Sequence, residues 1–101
     1  MDTNNTTQMR YDGSPTGRPL ALVTGASSGI GYELAIQFAK NGYDLFIVSG
    51  SEGIERAADQ LKDFNIDVKA VRHDLTQEAE VDALCDDLRA TGRPIAVAAL
   101  N

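Results

Sequence analysis

Thr24-Gly25-Ala26-Ser27-Ser28-Gly29-Ile30-Gly31 stands where an apolar run, Leu20-Ala21-Leu22-Val23, gives way to a helical stripe. The run reads as a buried strand. The stripe, Ile30, Leu34 and Phe38 with Ala35 and Ala39 beside it, recurs at i, i+4, i+8 and predicts a helix over 29–41 that ends at Asn41-Gly42. A strand that passes into a helix through three glycines can hold a diphosphate. The first helical turn offers N–H groups without intrahelical partners and the positive end of the helix dipole. Gly25 would make the turn, Gly29 would open the approach for a phosphate, and Gly31 would let the helix lie against the sheet. The spacing is G-x3-G-x-G. It differs from the usual G-x-G-x-x-G, and no Gly-Lys-Ser/Thr follows as in a Walker A loop. The plain alternative is a flexible Gly/Ser connection.

Outward from this segment, strand and helix signals alternate. Leu45-Phe46-Ile47-Val48 reads as a second buried strand, and Ile54, Ala57, Ala58 and Leu61 as the stripe of a second helix. Ile66 to Val71 alternates apolar and polar, which suits an exposed edge strand. Thr76 is placed to cap a third helix with the stripe Val81, Leu84, Cys85, Leu88, which puts Cys85 in the core; Gly92 closes that helix. Ile95 to Leu100 is a fourth apolar strand. Three strand–helix–strand units imply parallel strands and right-handed crossovers. The glycine turn after strand one favours an α/β, doubly wound sheet in the order 3-2-1-4. Two helices should then cover one sheet face and the third helix the other. Residues 1–19, rich in Thr, Asn, Gly and Pro, read as a disordered leader, and residues 20–101 as the folded unit.

Composition narrows the function classes. The chain has 101 residues, 43% of them hydrophobic and 24% charged, which suits one small domain. Its longest unbroken apolar run, Ile95 to Leu100, is six residues, against about 20 for a membrane span. MDTNNTTQMR at the start has no apolar core of a secretory signal. A formal net charge of -6 argues against nucleic acid as a partner. The one cysteine, Cys85, fits a reducing, cytoplasmic setting. No metal-ligand spacing is present. His73, the only histidine, reads as a partly exposed strand residue rather than a general base.

The glycine segment, with Val23 before it, closely resembles the cofactor motif of the short-chain dehydrogenase/reductase family. The resemblance continues in register over residues 20–101. His73-Asp74-Leu75 resembles the family's strand-three motif, whose Asp contacts adenine. Ala98-Ala99-Leu100-Asn101 resembles the Asn-Asn-Ala-Gly motif that ends strand four, with Asn101 on the second Asn and Leu100 in place of the first. The family likeness implies a Rossmann-type half-sheet that stops after strand four and binds NAD or NADP. Its cofactor-binding residues would be Gly25, Ser27, Ser28, Gly29, Ile30, Gly31, Ser49, Asp74, Leu75 and Asn101. Asp74 also has a reading of its own. A carboxylate at the C-terminal end of a parallel strand faces the ligand crevice and can accept from an adenine amino group, or it can simply complement the dipole of the next helix.

The end of strand two, Val48-Ser49-Gly50-Ser51-Glu52, normally reads the ribose. Ser49 stands where NAD-preferring members carry Asp, and Gly50 and Ser28 stand where NADP-preferring members carry basic residues. Absence of the Asp removes repulsion of a 2′-phosphate, and Ser49 and Ser51 can donate to one, so the balance leans to NADP; Glu52 opposes it. The family's proton relay is a Tyr-x-x-x-Lys pair with a Ser. Here Tyr11, Tyr32 and Tyr43 are followed four residues on by Pro15, Ile36 and Ile47, so no catalytic residue is assigned. Two functions are carried forward. One is the NAD(P)-binding portion of an oxidoreductase that interconverts a carbonyl and an alcohol on a small substrate. The other is a non-catalytic nucleotide- or partner-binding module.

Overall fold

The computed structural model describes residues 16–101. Four strands, β1 (Leu20–Thr24), β2 (Asp44–Ser49), β3 (Val68–Arg72) and β4 (Ile95–Ala99), alternate with three helices, α1 (Gly29–Lys40), α2 (Ile54–Leu61) and α3 (Glu78–Ala90). A 3-10 turn, Lys62–Phe64, extends α2. The sheet is wholly parallel in the order β3-β2-β1-β4, the order the glycine turn predicts. In register, Val23 lies beside both Ile47 and Ala99, and Ser49 beside Arg72. The C-terminal ends of all four strands therefore meet along one rim of the sheet.

Side-chain alternation divides the core in two. Ala21, Val23, Leu45 and Ile47 point to the face covered by α1 and α2, where Ala35, Ala39, Ile54, Ala57, Ala58 and Leu61 are buried against them. Leu20, Leu22, Phe46 and Val48 point to the other face and meet Leu84 of α3 with Leu75 and Leu88. The central strands β1 and β2 are buried at every position, as unbroken apolar runs require. The outer strands β3 and β4 are only half-buried. Each is paired on one side among the described residues.

Two expectations about α3 are corrected. Cys85 is exposed, not core. The buried seam of α3 is narrower than the sequence stripe. Leu84 and Leu88, one turn apart, face the sheet, while Val81 and Cys85, also one turn apart, lie on the flank and stand in solvent. Nor does Thr76 cap the helix: the N-cap is Gln77, with no side-chain bond to the first turn. Thr76 is turned back on Asp74, which outbids the helix for its hydroxyl.

At the opposite rim, the fully buried carboxylate of Asp44 gathers the starts of the strands. It accepts from the Asp67 N–H at 2.9 Å, from Arg93 Nη2 at 3.0 Å, from Arg18 Nη1 at 3.5 Å, and from the Thr16 hydroxyl. Its own N–H donates to the Pro19 carbonyl. A carboxylate without water must be paired to remain charged, and here two guanidinium groups serve. Of the expected leader 1–19, residues 1–15 lie outside the described ones. Residues 16–19 are bound to the sheet through Thr16, Arg18 and Pro19, which the composition of the stretch did not show.

Candidate nucleotide site

The β1–α1 connection is built around two close approaches. A Cβ on Gly31 would lie 2.0 Å from the Gly25 carbonyl oxygen, and one on Gly25 would lie 2.9 Å from Asn101 Nδ2. Gly25 and Gly29 both have φ of 63°, which side-chain-bearing residues adopt at a cost. Nothing stands within 4 Å of where a Cβ on Gly29 would be, so that side of the loop is open. Between the glycines, Ala26 is buried and its N–H donates to the Val48 carbonyl, which ties the loop to β2. Ser28, the N-cap of α1, is extended and makes no side-chain cap bond. The first-turn N–H groups of α1 therefore remain available to an anion.

Asn101 follows β4 and closes over this loop. Its N–H donates to Thr24 Oγ1 at 2.9 Å. A cleft of about 160 Å³ opens at the rim between Gly25, Ser49, Asp74, Leu75 and Asn101. That is below the roughly 300–1,000 Å³ of a whole small-molecule site and suits part of a larger ligand. Half of the residues assigned from the sequence thus converge there. Ile30 does not: it is 72% exposed and lies on an open trough along α1 with Tyr32, Leu34 and Gln37. Ser28 and Gly29 are exposed on the loop itself.

At the end of β2, three hydroxyls form a cluster that sequence reasoning had only in pieces. Ser27 Oγ accepts from Ser49 Oγ at 3.0 Å and from Ser51 Oγ at 2.8 Å, and the Ser51 N–H donates to Ser49 Oγ. Once β1 and β2 are neighbours, a Ser-x-Ser at the end of one strand and a Ser in the loop after the other are brought together, so the strand order was the signal that could have found it.

Asp74 lies in the β3–α3 connection. Its Oδ1 accepts from the Thr76 N–H at 3.0 Å and from the Thr76 hydroxyl at 2.6 Å. The hydroxyl first, then the N–H, hold this exposed carboxyl below the usual carboxylate range, against a smaller opposing effect of desolvation. Oδ2 takes no bond from the described residues. The Asp74 N–H donates to Glu80 Oε1 at 2.7 Å, and its carbonyl accepts from the Gln77 N–H. Beside it, the ring of His73 is largely covered and its Nε2 lies 2.8 Å from Asp87 Oδ2. Sequence reasoning did not find Glu80 or Asp87. They share one face of α3 at i, i+7, but nothing in the spacing shows which strand residue they meet. No group of three or more His, Cys, Asp or Glu suited to a metal occurs among the described residues.

Fold and crevice define a doubly wound parallel α/β unit with its ligand rim at the strand C-termini. Comparison with known proteins agrees with that class. The family model for short chain dehydrogenase matches residues 19–100. An uncharacterized oxidoreductase of Bacillus subtilis, YxjF, is 40% identical over 65 residues, 63% of this chain and 25% of that protein. The 7alpha-hydroxysteroid dehydrogenase of Escherichia coli K12 is 32% identical over 83 residues, 81% of this chain and 31% of that one. Among solved structures, a Sphingobium yanoikuyae short-chain dehydrogenase in complex with NADPH superposes with a TM-score of 0.71 at 38% identity, over 79% of this chain and 32% of that one. An actinorhodin polyketide ketoreductase with NADPH gives a TM-score of 0.79 at 28% identity, over 87% and 34%. The chain belongs to the short-chain dehydrogenase family. It spans a third or less of the length of YxjF and of the steroid dehydrogenase.

Proposed function

We propose that this chain forms the adenosine-binding part of an NADP(H)-dependent oxidoreductase. The carrying observation is the meeting of Gly25, Ser49, Asp74 and Asn101 around one cleft at the ends of four different strands. The open side of Gly29 and the first turn of α1 receive the diphosphate. Asp74 Oδ2 accepts from the adenine amino group. Ser27, Ser49 and Ser51 bring hydroxyls to the ribose 2′ position in place of the Asp of NAD-preferring members, which favours a 2′-phosphate over a bare hydroxyl against the opposing charge of Glu52. Similarity to structures that hold NADPH supports the same preference. Gly31 acts behind the loop, as the point where α1 passes the Gly25 carbonyl. When bound, the dinucleotide supplies the hydride of a carbonyl–alcohol interconversion on a small substrate of the whole protein. These 101 residues hold no Tyr-x-x-x-Lys pair, so on their own they bind and do not turn over. The net charge of -6 disfavours nucleic acid, and an exposed free thiol at Cys85 suits a cytoplasmic setting. No helix among the described residues is long and apolar enough to cross a membrane.

The test is calorimetric titration with NADP+ and NAD+. The wild type should bind NADP+ the more tightly. Ser49→Asp, which sets a carboxylate against the phosphate, should reverse the order. Equal affinities in both proteins would refute the assignment of the serine cluster.

A further inference from the structure

We propose that His73 is a positioning residue: it ties α3 to the end of β3 and so fixes the attitude in which Asp74 meets the base. This inference rests on the reading of Asp74 as the adenine acceptor. The β3–α3 connection has two ties to the helix. At the first turn, Glu80 accepts the Asp74 N–H at 2.7 Å. Two turns further on, Asp87 is 2.8 Å from His73 Nε2. Glu80 and Asp87 project from the same face of α3, so the two ties act in parallel on adjacent residues. His73 Nδ1 is 3.7 Å from Glu80 Oε1, which places the imidazole between two carboxylates.

The surroundings leave the imidazole no substitute. The backbone N–H of His73 donates to the Ser49 carbonyl, which prolongs the β2–β3 ladder past Arg72. The Arg72 guanidinium, the neighbouring cation, is turned to the Gly50 carbonyl instead. Ser49, which ends β2, and Gly50 after it carry no charge. Without the ring, Asp87 would lose its donor at the strand end, and the bond from the Asp74 N–H to Glu80 would be the one side-chain tie left between the connection and α3. The Thr76 turn would still hold Oδ1, but the turn as a whole would lose its height above the cleft. A shift of that kind acts on base recognition rather than on the diphosphate, because the glycine loop is held separately by Asn101 and by the Ala26–Val48 bond.

The experiment compares NADP+ with its hypoxanthine counterpart, in which a carbonyl replaces the adenine amino group. Wild-type protein should favour the adenine form by about fivefold, the worth of one hydrogen bond. His73→Phe and Asp87→Ala should bring that ratio close to one, with circular dichroism reporting an intact fold. Asp87→Asn, which keeps an acceptor for Nε2–H, should retain the wild-type ratio. An unchanged ratio in folded His73→Phe and Asp87→Ala, or an equal loss of both ligands, would overturn the positioning role and leave the Asp74 reading standing. A ratio near one in the wild type would overturn the Asp74 reading, and this inference with it. Asp87 is half-buried on a helix, so its alanine variant remains a test should His73→Phe fail to fold.

Discussion

Gly31 passes so close to Gly25 that a Cβ on the first would stand 2.0 Å from the carbonyl oxygen of the second. Both partners in that contact are backbone, so neither can rotate away. Gly31→Ala should cost about 3 kcal/mol, the upper end of overpacking. Gly29→Ala meets open space and bears only the strain of its φ of 63°, about 1 kcal/mol. Denaturant melts of the two variants should keep that order; equal losses would mean that the loop is not packed as described.

The Asp44 carboxylate is wholly buried, and the Arg93 side chain that pairs with it is 10% exposed. Asp44→Ala leaves the Arg93 charge without its carboxylate, with the Arg18 carbonyl as its remaining acceptor, and should cost about 3 kcal/mol. Because Asp44 lies at the start of β2, far along the strand from Ser49, nucleotide affinity of the folded fraction should not change. Calorimetry on Asp44→Ala at low temperature checks the second half of this expectation, and a weakened affinity there would contradict it.

The Thr76 hydroxyl is the chief reason that the Asp74 carboxyl is held below the usual carboxylate range. A lowered value in the folded state means that the turn is favoured above the ordinary carboxylate range and loses that support as pH falls through the lowered value. Thr76→Val keeps the shape and the N–H bond but removes the hydroxyl. The carboxyl carbon of Asp74, followed by nuclear magnetic resonance, should titrate at higher pH in the variant. An unchanged midpoint would show that the hydroxyl bond does not persist in solution.

Much of this fold is written in apolar spacing. The unbroken runs at Leu20 and Leu45 suit strands buried on both faces, and the i, i+4, i+8 stripe from Ile30 marks the helix α1, although the residues α1 buries are Gly31, Ala35 and Ala39, one step on, and Ile30 itself is exposed. With the glycine turn, these residues determine a parallel sheet and the strand from which it is wound. Legibility fails where a side chain chooses between partners that spacing leaves equivalent. Cys85 and Leu84 are adjacent on one stripe, yet only the tilt of α3 on the sheet decides that Leu84 is covered. Thr76 had a helix end and a carboxylate within reach and took the carboxylate. Asp44 begins an apolar strand and gives no sign, in one dimension, of the three chain segments that converge on it. The site divides in the same way: the glycines announce themselves by spacing, whereas the tie from His73 to Asp87 exists only once α3 is laid across β3.

On the proposed function, this rim binds the adenosine end of NADP(H). Amide resonances of the isotope-labelled protein, followed as NADP+ is added, test it most directly. Saturable shifts are expected at Gly25 to Gly31, at Ser49 to Ser51 and at Asp74, with the amides around Asp44 and Arg93 unmoved. Shifts confined to the Asp44 end of the sheet, or no saturable shift at millimolar NADP+, would contradict it.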